Sequence, residues 1–189
     1  MISASCVPDD VIRTPCDLGG GLKAWWFMSD QLRHQAEASR FIFYLHPPTS
    51  SPSSTSHRAL VSRLALDSGA AVLMVDYRRT PEDTREDSHA DVSKAYRWAV
   101  GQPGVSPASM LIMADGLGCA LALNLCIELR DETVAGGEDL LPAGVALLSP
   151  WVDLSESATF GSKVGRVCTA AEGTIQTMQG AFDSERMRL

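Results

Sequence analysis

The sequence has no C-x-x-C pair: its five cysteines (Cys6, Cys16, Cys119, Cys126 and Cys168) are an odd, scattered set along 189 residues. That argues against a disulfide framework or a tetrahedral zinc site and leaves reduced core or surface thiols. Basic residues are in the minority, 16 Lys and Arg against 23 Asp and Glu, giving a formal net charge of −7, and nowhere do they cluster. Nucleic acid is therefore not an expected partner, because phosphate binding needs a concentrated cationic surface. No apolar run approaches the ~18 residues of a membrane span. Residues 1–20 place Asp9 and Asp10 where a secretory leader would need its apolar stretch. A cytoplasmic protein without membrane association is the expectation. Histidine is scarce as well: His34, His46, His57 and His89 are the four present.

What is there reads as one α/β domain over residues 1–189, with 1–20 irregular. Short, nearly unbroken apolar runs occur at residues 22–28 (LKAWWFM), 41–45 (FIFYL), 71–75 (AVLMV), 110–114 (MLIMA) and 144–148 (GVALL). Runs of this length, bounded by turn residues, suit strands buried on both faces. Between them lie segments with apolar residues at helical spacing. Residues 57–68 carry Leu60, Val61, Leu64 and Leu66. Residues 87–100 carry Val92, Ala95, Tyr96 and Ala99, with Asp87 or Ser88 as N-cap, and residues 119–129 form a third such segment. The stretch 46–56 (HPPTSSPSSTS) is a loop by composition. Strands alternating with helices predict a doubly wound, mostly parallel sheet with flanking helices.

Five short motifs follow one another in order. His46-Pro47-Pro48-Thr49 comes after a strand, and Asp76-Tyr77-Arg78 precedes Pro81-Glu82. Ala95-Tyr96-Arg97-Trp98 lies in a helix, Asp115-Gly116-Leu117-Gly118 sits between strand and helix, and Ser149-Pro150-Trp151-Val152-Asp153-Leu154 ends a strand. The series, over residues 22–180, resembles the hormone-sensitive-lipase-like carboxylesterases of the α/β-hydrolase superfamily. In that family a His-Gly-Gly-Gly loop, Asp-Tyr-Arg, a Gly-Asp-Ser-Ala-Gly nucleophile elbow and Ser-Pro-Trp-Val-Asp-Leu recur in the same order.

The departures from the family pattern bear directly on chemistry. An elbow exposes a serine Oγ on a sharp strand-to-helix turn, with backbone N–H groups holding the developing oxyanion. Here Gly116 stands in the serine position and offers no nucleophile. Pro47, Pro48 and Thr49 replace the loop glycines, and a proline has no N–H to donate. The family's triad runs Ser, then Asp or Glu, then His, whereas all four histidines precede Gly116. The resemblance implies that the chain covers about two thirds of the fold, lacking its last strands. Residues 155–189 would begin a lid- or cap-like helical segment.

Rival readings of the same residues are weaker. Gly116-x-Gly118 could be part of a dinucleotide fingerprint, but its third position would be Leu121, which is not small. Cys119 could substitute as nucleophile, but a buried structural thiol is favoured in the absence of a later base. Asp115 is expected to satisfy backbone groups at a helix start, Glu82 to be a buried acid, His46 to orient its loop, and Trp25, Trp26, Trp98 and Trp151 to pack the core. No cofactor and no metal are expected. The functional expectation is a pseudoenzyme of the carboxylic-ester hydrolase family, binding a small acyl-like molecule or a partner. The alternatives are residual or non-hydrolytic chemistry using Asp115 or His46, and a product without function. The strand at 144–148 would form an exposed sheet edge, covered in a homo-oligomer or by a partner protein.

Overall fold

The computed structural model describes residues 8, 10–34, 40–47, 57–80 and 82–152, with the side chains of residues 33 and 34 outside the description. The expectations on Pro48, Thr49 and residues 155–189 lie outside these residues, as does the side chain of His34. Among the described residues six strands form one sheet: β1 (Val11–Asp17), β2 (Lys23–Ser29), β3 (Phe41–Leu45), β4 (Ala71–Asp76), β5 (Met110–Asp115) and β6 (Gly144–Leu148). Their order is β1-β2-β4-β3-β5-β6. β1 pairs antiparallel with β2, and β2 antiparallel with β4, while β4, β3, β5 and β6 run parallel. The helices are α1 (Asp30–His34), α2 (Arg58–Ser68), α3 (Arg85–Val100) and α4 (Gly118–Val134).

β3 lies between β4 and β5 and is buried at all five residues, as a continuous apolar run in a parallel sheet requires. Its alternating side chains feed two cores. Phe41, Phe43 and Leu45 pack with Val92, Ala95 and Tyr96 of α3 and with Leu121, Ala122 and Leu125 of α4. Ile42 and Tyr44 pack on the opposite face with Val61 and Ala65 of α2. Helices therefore cover both faces, the doubly wound arrangement expected from the alternation of runs.

Several expectations need correction. Residues 1–20 are not irregular throughout, because Val11–Asp17 forms a strand. Its three exposed central residues hid it from a search for apolar runs, and Pro15 is tolerated because β1 is an edge strand. Helix α3 starts earlier than expected, at Arg85. Thr84, not Asp87 or Ser88, is its N-cap: the Thr84 hydroxyl accepts from Asp87 N–H while the Asp87 carboxylate accepts from Thr84 N–H. Helix α4 runs on to Val134, through part of the polar stretch taken for loop. Leu60 is exposed, and Glu82 is exposed rather than buried. The four tryptophans are half-buried, with Trp26 and Trp98 against one core and Trp25 against the other.

Candidate functional site

The chain leaves β3 for β4 on one side, then returns to place β5 on β3's other side. At such a reversal the connections diverge and leave a crevice beyond the carboxyl ends of the two strands. His46 and Pro47 leave β3 at that point, and Asp115 to Gly118 leave β5 there. The topology thus brings together six of the eight residues singled out in the sequence.

The turn after β5 has the backbone of an elbow. Gly116 adopts φ +56°, in the left-handed region, and α4 begins two residues later. Its N–H donates to Leu148 O at 3.0 Å and its carbonyl accepts from Trp151 N–H at 3.1 Å, so the end of β6 clasps the turn from both sides. A Cβ on Gly116 would meet Pro47 Cγ at 3.4 Å, an ordinary contact, so the site has room for a side chain that the residue does not supply. Gly118 is different: a Cβ there would lie 2.8 Å from both Leu45 O and His46 O. The first turn of α4 can approach β3 this closely only with glycine. The Leu117 N–H makes no hydrogen bond among the described residues. It follows the elbow residue directly, where this fold places an oxyanion donor.

His46 is built into the scaffold. It is buried, its ring stacks on Tyr77 with centroids 4.6 Å apart, and Tyr77 Oη donates to its carbonyl. Nδ1 lies 2.8 Å from Pro47 O and Nε2 3.1 Å from Val75 O. Burial pushes its pKa down to about 4, outweighing the Pro47 carbonyl, which favours the charged form. At neutral pH the ring is therefore uncharged and ties β3 to the end of β4. Arg78, next along, clamps Asp91 of α3 through Nε at 2.9 Å and NH2 at 2.9 Å, fixing the exit of β4.

His57 and Tyr44 also belong to the site, although no motif in the sequence includes them. His57, at the start of α2, puts Nε2 3.7 Å from Asp115 Oδ2, the two side chains being 19% and 28% exposed. Its ring lies 6.2 Å from that of Tyr44 and 6.1 Å from that of His46. Burial lowers the His57 pKa and the Asp115 charge partly offsets this. The Tyr44 hydroxyl is buried without a hydrogen-bond partner among the described residues, and burial, with Asp115 and Cys119 nearby, raises its pKa. The alternation of β3 and β5, with Tyr44 in register with Met113, puts Tyr44 and Asp115 on the α2 face. No short-range signal marks His57, which is brought there by the packing of α2. Cys119 points inward, its thiol donating to Ala114 O at 3.3 Å and Leu148 O at 3.6 Å, and burial raises its pKa. Among the described residues no three His, Cys, Asp or Glu side chains group as metal ligands, and no helix is long and apolar enough to cross a membrane.

Sheet order, elbow backbone and crevice together define an α/β-hydrolase scaffold, and residues 44–184 match the family model described as alpha/beta hydrolase fold. The chain belongs to that family. Its relatives place it in the hormone-sensitive-lipase-like, esterase-related part of it. An esterase of Acinetobacter venetianus is 32% identical over 71% of this chain and 44% of its own length. An acetyl-hydrolase of Streptomyces hygroscopicus is 35% identical over 84% of this chain and 48% of its own. Among solved structures, a hormone-sensitive-lipase homologue from a metagenome library, EstE7, superimposes with a TM-score of 0.75 at 27% identity, covering 92% of this chain and 57% of that one. An esterase of the bacterial hormone-sensitive lipase family gives 0.68 at 26% identity, covering 86% and 51%. The chain spans about half the length of the curated relatives it matches.

Proposed function

We propose that this chain binds a small acyl-like molecule in the crevice at the elbow without forming an acyl-serine, and is in that sense a pseudoenzyme of the esterase family. Gly116 carries the reading: the elbow turn is kept at φ +56°, with the Leu117 N–H uncommitted among the described residues, while the turn residue has no side chain to attack with. A carbonyl oxygen seated on that amide would receive a hydrogen bond, which supports binding whether or not turnover follows. The test is titration of the protein with a ketone analogue of a short-chain ester, followed through the Leu117 amide by NMR. A saturable shift at Leu117 is the expected result. Absence of any shift at the elbow overturns the proposal.

A second reading, partner binding, is favoured by β6. Among the described residues it pairs only with β5, and Val145 on it is 39% exposed. An apolar edge without charge or proline recruits a further strand unless covered. Size-exclusion chromatography of the purified protein would show a dimer or higher species under this reading, and a concentration-independent monomer would discard it.

A further inference from the structure

Beside the elbow, on the face covered by α2, three groups lie together that a serine-based reaction does not use. Asp115 is the last residue of β5 and directly precedes Gly116. Its side chain is 28% exposed, so it is open to a small molecule at the crevice. His57 faces one of its oxygens, Oδ2, at 3.7 Å. The other, Oδ1, has no hydrogen-bond partner among the described residues. The third group is Tyr44, whose hydroxyl is buried with no hydrogen-bond partner among the described residues although the Asp115 charge acts on it. A buried, unpaired hydroxyl costs roughly 1–3 kcal/mol, so this one has reason to hold a water or a ligand oxygen.

A carboxylate with one oxygen open, facing an imidazole and two residues ahead of an uncommitted backbone amide in the same turn, has the parts for general-base catalysis by water. We propose that Asp115 activates a water molecule for direct attack on the acyl carbonyl of an activated short-chain ester held at the elbow, with His57 as the positioning residue. The inference rests on the binding reading given above. As the water oxygen bonds to the acyl carbon, its proton passes to Asp115 Oδ1 and the carbonyl π pair moves onto the oxygen facing Leu117 N–H. Collapse of this intermediate breaks the bond to the leaving oxygen, which takes the proton back from Asp115. One ester and one water become one acid and one alcohol, with no covalent enzyme intermediate.

The experiment measures hydrolysis of p-nitrophenyl butyrate by the purified chain, by Asp115→Asn and by His57→Gln, alongside the affinity of each for the ketone analogue. The wild type should turn over slowly, above the buffer blank and without a burst. Asp115→Asn should lose at least tenfold in kcat while keeping ketone affinity within twofold, which also shows that the variant is folded. His57→Gln, whose amide can still orient the carboxylate, should lose less than Asp115→Asn. Ketone binding without wild-type turnover, or an Asp115→Asn variant as active as wild type, overturns the inference and leaves the binding reading standing. Absence of ketone binding overturns both.

Discussion

His57 Nε2 stands 3.7 Å from Asp115 Oδ2, so the residue that opens α2 faces the acid that closes β5. The two are 58 positions apart in the chain. The pair joins the two sides of the topological reversal at the point where the elbow begins. Burial draws the His57 pKa down from 6.5 and Asp115 pulls it back.

That balance gives a direct prediction. The His57 imidazole should titrate with a midpoint below 6.5, and Asp115→Asn should move the midpoint lower still, because the attraction holding the proton is removed. Imidazole proton NMR across pH 4–8 reads both. A midpoint unchanged by the substitution would mean that the two side chains do not face each other in solution.

His46 predicts acid sensitivity. Its folded pKa of about 4 lies below the 6.5 of the unfolded chain. The neutral, buried ring contributes stability that is fully present above pH 6.5 and is lost as pH falls towards 4, because the unfolded state takes up the proton first. The loss from this residue is about 3 kcal/mol at most. Urea denaturation at pH 7.5 and pH 4.5 should show it, and His46→Gln should flatten the difference. A wild-type midpoint that rises on acidification would contradict the assignment.

At Gly118 the prediction is steric. Gly118→Ala places a Cβ 2.8 Å from the Leu45 and His46 carbonyl oxygens, which are backbone atoms with little freedom to retreat. The variant should be less stable by about 1–3 kcal/mol, a fall of several degrees in melting temperature. A melting temperature equal to wild type would show that α4 does not approach β3 as described.

Gly116→Ser should fold, since its Cβ meets only Pro47 at 3.4 Å, at a cost of roughly 1–2 kcal/mol for a side chain at φ +56°. It should show no burst of released nitrophenol. Both nitrogens of His46 face carbonyl oxygens, which leaves that ring without a nitrogen open to a serine proton, and His57 Nε2 is turned to Asp115 rather than to the elbow residue. A stoichiometric burst would reveal a base at the elbow that the described residues do not supply.

Much of this arrangement is legible in the amino-acid pattern. The runs at 41–45 and 144–148 coincide with β3 and β6; for β3 the reason is that a strand buried in a parallel sheet has to be apolar on both faces, whereas β6 is apolar but only partly buried. The elbow was legible because a strand, a glycine pair and a helix follow one another in sequence. β1 escaped because an edge strand needs no apolar run, and the early start of α3 escaped because its cap rests on Thr84, ahead of the apolar spacing. His57 and Tyr44 escaped for a different reason. Their meeting with Asp115 depends on how α2 lies across the sheet, and such long-range packing leaves no periodic trace in the chain.

The account turns on an elbow that holds an acyl group without becoming acylated. Intact-mass spectrometry after incubation with p-nitrophenyl butyrate tests this directly. The unmodified mass is expected throughout, including at early times under excess ester. A stoichiometric gain of one butyryl group would show that a nucleophile of this chain forms an acyl-enzyme and would contradict it.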